Sequence, residues 1–90
     1  MMNEQAAMPK YKCHKEVHAI KIAGAEVNKD GSVTIAPHDE WFAVFTTEAS
    51  YGERFKGNDS DPGYYVIYEG GYKSWSPSKE FESGYTPIPT

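Results

Sequence analysis

Three groups of side chains in this 90-residue chain carry enough chemistry to act on another molecule. The first is Cys13, His14 and His18, with His38, Asp39 and Glu40 further along. Zinc accepts all of these ligand types, but its closed sites take four ligands at finger or ribbon spacings, and the second cysteine is missing. On a strand His14 and His18 share a face yet stand about 13 Å apart, too far to hold one ion. Cys13 with a histidine also supplies the parts of a nucleophile and its base, and Lys12 and Lys15 offer the positive setting a thiolate needs. No nucleophile motif surrounds it, and a lone cysteine is commonly a small buried hydrophobe. The sequence therefore predicts no catalytic centre, no metal and no cofactor. Alkylation of native Cys13 checks this: slow labelling is expected, and rapid labelling at neutral pH would mark an activated thiolate.

The second group is the carboxylates. Asp59-Ser60-Asp61 begins like a calcium loop, but Pro62-Gly63 follows and the twelfth-position glutamate is absent. Asp39 and Glu40 are neighbours and face opposite ways on a strand, so they cannot share a proton. Glu80 and Glu82 read as solvated. Glu69-Gly70-Gly71-Tyr72 has neither the length nor the Lys-Ser/Thr of a phosphate loop.

The third group is the rings of Tyr64, Tyr65, Tyr68, Tyr72, Trp75 and Tyr85. Tyr64–Glu69, Gly70-Gly71 and Tyr72–Trp75 predict a hairpin with a two-residue turn, since glycine tolerates the positive φ of a type I′ turn. That register pairs Tyr68 with Lys73 and Val66 with Trp75 on one face and gathers Tyr65, Ile67, Tyr72 and Ser74 on the other. One face must pack on the core of a chain that has no leucine at all. The other would then expose tyrosines, a makeup that suits protein interfaces and stacking on planar ligands.

The elements that position these groups follow from periodicity and turn chemistry. Val17–Val27 alternates small or branched apolar residues with polar ones and predicts a strand, with Ile20 and Ile22 turned to the core. Asn28-Lys29-Asp30-Gly31 is a hairpin turn with a bulge, and Ser32–Ile35 returns until Pro37 stops it. Trp41–Phe45 is apolar throughout and predicts a strand buried on both faces. Thr46 or Thr47 can cap a short helix to about Phe55, with Glu48 at its positive end. Residues 56–63 form a polar loop. Ser76-Pro77 predicts a capped helix start, Phe81 its anchor and Gly84 its end, and Tyr85–Ile88 a short edge segment. The result is a small α+β domain over residues 10–90, an antiparallel sheet of about five short strands with two short helices, behind a disordered tail at 1–9.

Composition narrows the function classes. Nine basic residues stand against 13 acidic ones, a formal charge of −4. That balance excludes a sequence-independent grip on a nucleic-acid polymer. No apolar run is long enough to span a bilayer, so no membrane partner is expected. A single cysteine fits a reducing compartment.

Two segments carry a resemblance. Tyr11-Lys12-Cys13-His14-Lys15-Glu16-Val17-His18-Ala19-Ile20-Lys21-Ile22, and Gly63–Glu69 with Gly71–Pro77, Phe81-Glu82 and Gly84-Tyr85-Thr86, resemble an uncharacterised family of small proteins encoded by tailed bacteriophages and prophages. The seven residues before Met8 and Gly70, where the pattern has Asp, depart from it. The resemblance implies a setting, the host bacterial cytoplasm, and no mechanism. The reading that combines both strands is a non-enzymatic phage accessory protein. It would bind a host protein or a second copy of itself through Tyr65, Tyr72, Lys73, Ser74 and Tyr85. The alternatives are a protein that counters host defence by binding a small planar or nucleotide-signal ligand, which would need Lys73 with Lys21, Arg54 or Lys56 to meet its charge, and, behind it, a Cys/His-based enzyme or metal-binding protein.

Overall fold

The computed structural model describes Pro9 and residues 16–88. The expected tail at 1–9, apart from Pro9, and the Cys13–His14 pair lie outside the described residues. Five strands form one sheet: β1 (His18–Val27), β2 (Val33–Pro37), β3 (Phe45–Thr46), β4 (Tyr64–Ile67) and β5 (Lys73–Ser76), in the order β3-β2-β1-β4-β5. Every pairing is antiparallel. One α-helix, α1 (Ser78–Gly84), follows β5, and a 3-10 segment spans Ala49–Glu53.

β1 divides its length between two neighbours. Residues His18 to Lys21 pair with β4, from His18↔Ile67 to Lys21↔Tyr64. Residues from Ile22 onward pair with β2, and the register slips between Ile22 and Gly24. A bulge of this kind bends a strand and increases its twist. The bend brings the two outer regions over one core, where Phe45 of β3 meets Tyr65 of β4 edge-on at 5.1 Å between ring centres.

That core consists of Ile22, Val33, Ile35, Tyr51 and Tyr65, with Phe45, Phe55, Ile67 and Trp75 packed around it. Rings take the volume that leucine would otherwise fill. Tyr51, from the 3-10 segment, is fully buried and donates its hydroxyl to the Ser74 carbonyl at 2.8 Å. The opposite face carries Tyr64 and Val66, and α1 covers it by stacking Phe81 on Tyr64 at 4.2 Å.

Several expectations are corrected here. Trp41–Phe45 is not a buried strand: only Phe45–Thr46 pairs, and Trp41, Phe42 and Val44 are exposed. Asp39 explains the difference. Its carboxylate accepts the Trp41 N–H at 3.0 Å and its carbonyl accepts the Phe42 N–H at 3.1 Å, so the chain turns where the strand was expected. The helix expected from Thr46 or Thr47 to Phe55 is the short 3-10 segment instead, so one α-helix stands where two were expected. Thr47 does not cap it; its hydroxyl accepts the Val33 N–H at 2.9 Å and fastens the segment to β2. Ser76 does not cap α1 either, and Asp61 takes that place from a distant loop, accepting both the Ser78 N–H and hydroxyl. Residues 85–88 are not a strand.

The β4–β5 turn is also longer than predicted. Tyr68 N–H donates to the Tyr72 carbonyl and Gly71 N–H to the Tyr68 carbonyl, so Glu69, Gly70 and Gly71 form a three-residue loop. The register becomes Tyr65↔Trp75, Val66↔Ser74 and Ile67↔Lys73. A shift of one residue moves every side chain to the other face. Tyr65 and Trp75 therefore share the core face.

Two glycines with left-handed backbone differ in what surrounds them. At Gly63, φ is 77° and a Cβ would collide with the Ser76 carbonyl and the Trp75 indole; at Gly70, φ is 88° and the space is empty. Gly70→Ala should cost about 1 kcal/mol from conformation alone, and Gly63→Ala about 3 kcal/mol or more. Urea unfolding of the two variants checks the order.

Candidate binding surface

Antiparallel topology decides which loops share an end of the molecule. The start of β1, the β2–β3 connection and the β4–β5 turn all fall at one end of the sheet. His38 fixes the second of these, donating its N–H to the Lys21 carbonyl at 2.8 Å. The exposed rings lie in these loops: Trp41 is 92% exposed, Phe42 55%, Tyr72 56% and Tyr68 37%, with Val44 at 61% beside them. Trp41 and Phe42 sit on the Asp39 turn. Tyr68 and Tyr72 close the hairpin, with ring centres 6.3 Å apart.

The predicted site residues do not assemble on one wet face. Tyr65 is buried between Phe45 and Tyr51, so its ring is core. Ser74 is half-buried and its carbonyl is occupied by Tyr51. Tyr85 belongs to the α1 stack, 4.6 Å from Phe81. Tyr72 and Lys73 do reach the exposed end. Trp41, Phe42 and Val44 were missed as surface residues, although Pro37 and Asp39 are the turn signals that put them there.

Among the described residues at this end, Arg54 and Lys73 are already engaged. Arg54 lies 5.0 Å above the Tyr72 ring and pairs with Glu48 at 3.7 Å, and Lys73 approaches the same carboxylate at 3.7 Å. Both cations are held against one anion, and the three groups together carry a net charge of +1. A separate cleft of about 820 Å³ runs between β1, the loop at 59–62 and α1, lined by Lys21, His38, Asp61, Ser78, Lys79 and Glu82. Several of the polar groups along it bond one another: Lys21 donates to Glu82 at 3.0 Å, Tyr64 donates to Glu82 at 2.7 Å, and Ser78 donates to Asp61. It is the brace that holds α1 to the sheet. Among the described residues no three His, Cys, Asp or Glu side chains cluster as metal ligands, and no helix is long and apolar enough to cross a membrane.

Comparison with protein-family models, with curated proteins and with solved structures finds no match. The functional reading therefore rests on the residues and their geometry.

The brace has a pH signature. The Ser78 hydroxyl, together with backbone N–H groups, holds the Asp61 carboxyl below its usual range; the Tyr64 hydroxyl and then Lys21 do the same for Glu82. Carboxyls depressed in the folded state contribute stability that is complete above their unfolded values, about 4, and lost as pH falls through the folded ones. Burial first, and the Glu82 bond second, push the Tyr64 phenol up to about 12, so its contribution fades instead as pH rises from about 10 towards that value. Stability measured in urea should drop below about pH 4, and Asp61→Asn with Glu82→Gln should flatten that acid limb.

Proposed function

We propose that this protein is a non-enzymatic binding module that engages another protein through the aromatic end of its sheet. The observation that carries the reading is the exposure of Trp41, at 92%, among Phe42, Val44, Tyr68 and Tyr72 at that end. Large exposed apolar patches with tryptophan and tyrosine at their centre are the usual makeup of interfaces. None of these side chains belongs to the core cluster.

The hairpin keeps its role in this reading, through Tyr68 and Tyr72 at the turn, with Arg54 holding the Tyr72 ring in place. The resemblance of residues 11–22, 63–69, 71–77, 81–82 and 84–86 to small phage-encoded proteins supports a phage or prophage accessory protein acting in the host cytoplasm. A host protein is then the partner class, and self-association is the competing outcome.

The test is a double variant, Trp41→Ala with Tyr72→Ala, used as bait beside the wild type in a bacterial extract and in sedimentation at rising concentration. Neither ring is in the core, so each substitution should cost less than about 1 kcal/mol and leave the melting curve nearly unchanged. The wild type should retain a partner that the variant loses. Equal retention by both, with both folded, would overturn the reading.

A further inference from the structure

The proposed binding end has a charge as well as rings, and the charge names its partner. Glu16 precedes β1, Asp39 and Glu40 precede Trp41, and Glu69 lies in the β4–β5 turn, so all four carboxylates belong to the same end of the sheet. All four are exposed, and among the described residues none of them is in an ion pair. Arg54, Lys73 and Glu48 together carry a net charge of +1, which leaves the four carboxylates in excess. Among the described residues this end of the sheet therefore carries an excess of negative charge beside its exposed rings.

From this excess, and resting on the binding reading above, we infer that the occupant is a basic protein segment in which Lys or Arg alternates with apolar residues. Its apolar side chains pack on Trp41, Phe42 and Val44. Its cations take the face of Tyr68 or the carboxylates of Asp39, Glu40 and Glu69, Arg54 already lying over Tyr72. A cation over an aromatic face and a cation beside a carboxylate are both attractive, and a carboxylate-rich partner would meet repulsion at each of these carboxylates. Complementary charge also speeds the encounter and makes it salt-sensitive.

The experiment uses the full chain and two synthetic peptides of equal length and equal apolar content, one with Lys and Arg between Leu and Phe, the other with Glu and Asp in their place. Amide and indole NMR shifts report where each binds. The basic peptide should give saturable shifts confined to residues 39–44 and 68–72, weakening as salt is raised from about 50 to about 500 mM. Trp41→Ala should weaken it at least about tenfold, and Glu40→Gln with Glu69→Gln severalfold, with Gly84 and Ser83 in α1 unmoved. Equal or tighter binding of the acidic peptide would overturn the inference while leaving the binding reading intact. So would a dimer that forms through these residues and takes up no peptide. The sequence just before Glu16 carries Lys10, Lys12 and Lys15. Binding seen only after all three are changed to Gln would overturn it in favour of the chain's own segment as occupant. Shifts that avoid residues 39–44 and 68–72 with both peptides would remove the inference and count against the surface itself.

Discussion

β1 has to satisfy two different neighbours along one edge-to-edge length, and the bulge between Ile22 and Gly24 is what lets it do so. A flat strand pairing β2 and β4 along the same residues would give a sheet with two open faces and a thin core. Splitting the pairing bends the sheet, so that Phe45 on one outer strand reaches Tyr65 three strands away. Tyr51 then closes the cavity from above, its phenol pushed well above the ordinary value by burial and its hydroxyl tied to Ser74. The same antiparallel arrangement sends three chain segments to one end of the molecule, so the core and the exposed aromatic end have a common cause.

Leaving Trp41 outside is energetically conspicuous in a chain this small. A tryptophan buries about 150–250 Å² when it joins a core, which at about 25 cal/mol per Å² is on the order of 4–6 kcal/mol. That is comparable with the whole net stability of an ordinary small domain. The sequence has no leucine and builds its interior from rings, yet leaves Trp41, Phe42 and Val44 of its most apolar run exposed. The Asp39 turn holds the run there with two hydrogen bonds, so the exposure is a built feature of the chain path.

How much of this was legible depended on whether the deciding signal was local. The first hairpin could be read because Asn28, Asp30 and Gly31 state their turn, and the observed Asn28–Ser32 and Gly31–Asn28 bonds follow from it. The second hairpin has the same three-residue loop, but two adjacent glycines resemble a two-residue turn. One residue of error there turned Tyr65 from core to surface. For Trp41–Phe45 hydrophobicity alone cannot distinguish inside from outside, and the turn residues before it carried the information. The Asp61 cap of α1 was out of reach, because its donor Ser78 lies 17 residues away and only folding brings the two together. Of the expected binding residues, Tyr72 and Lys73 reach the exposed end because they flank the turn, where a register error changes little.

The exposed end is not isolated from the interior. Glu48 holds Arg54 and Lys73, Arg54 lies on Tyr72, and Thr47, one residue before Glu48, is bonded to the Val33 N–H in β2. The 3-10 segment thus connects the hairpin tip to the core strand through one carboxylate and one hydroxyl. A basic partner that competes for Glu48 breaks only partly exposed, 3.7 Å ion pairs, which are weak. The Thr47 and Tyr51 hydrogen bonds are shorter and more buried, so they keep the segment in place while the tip adjusts. This division lets the tip side chains reorient around a ligand without disturbing the ring-built core beneath them.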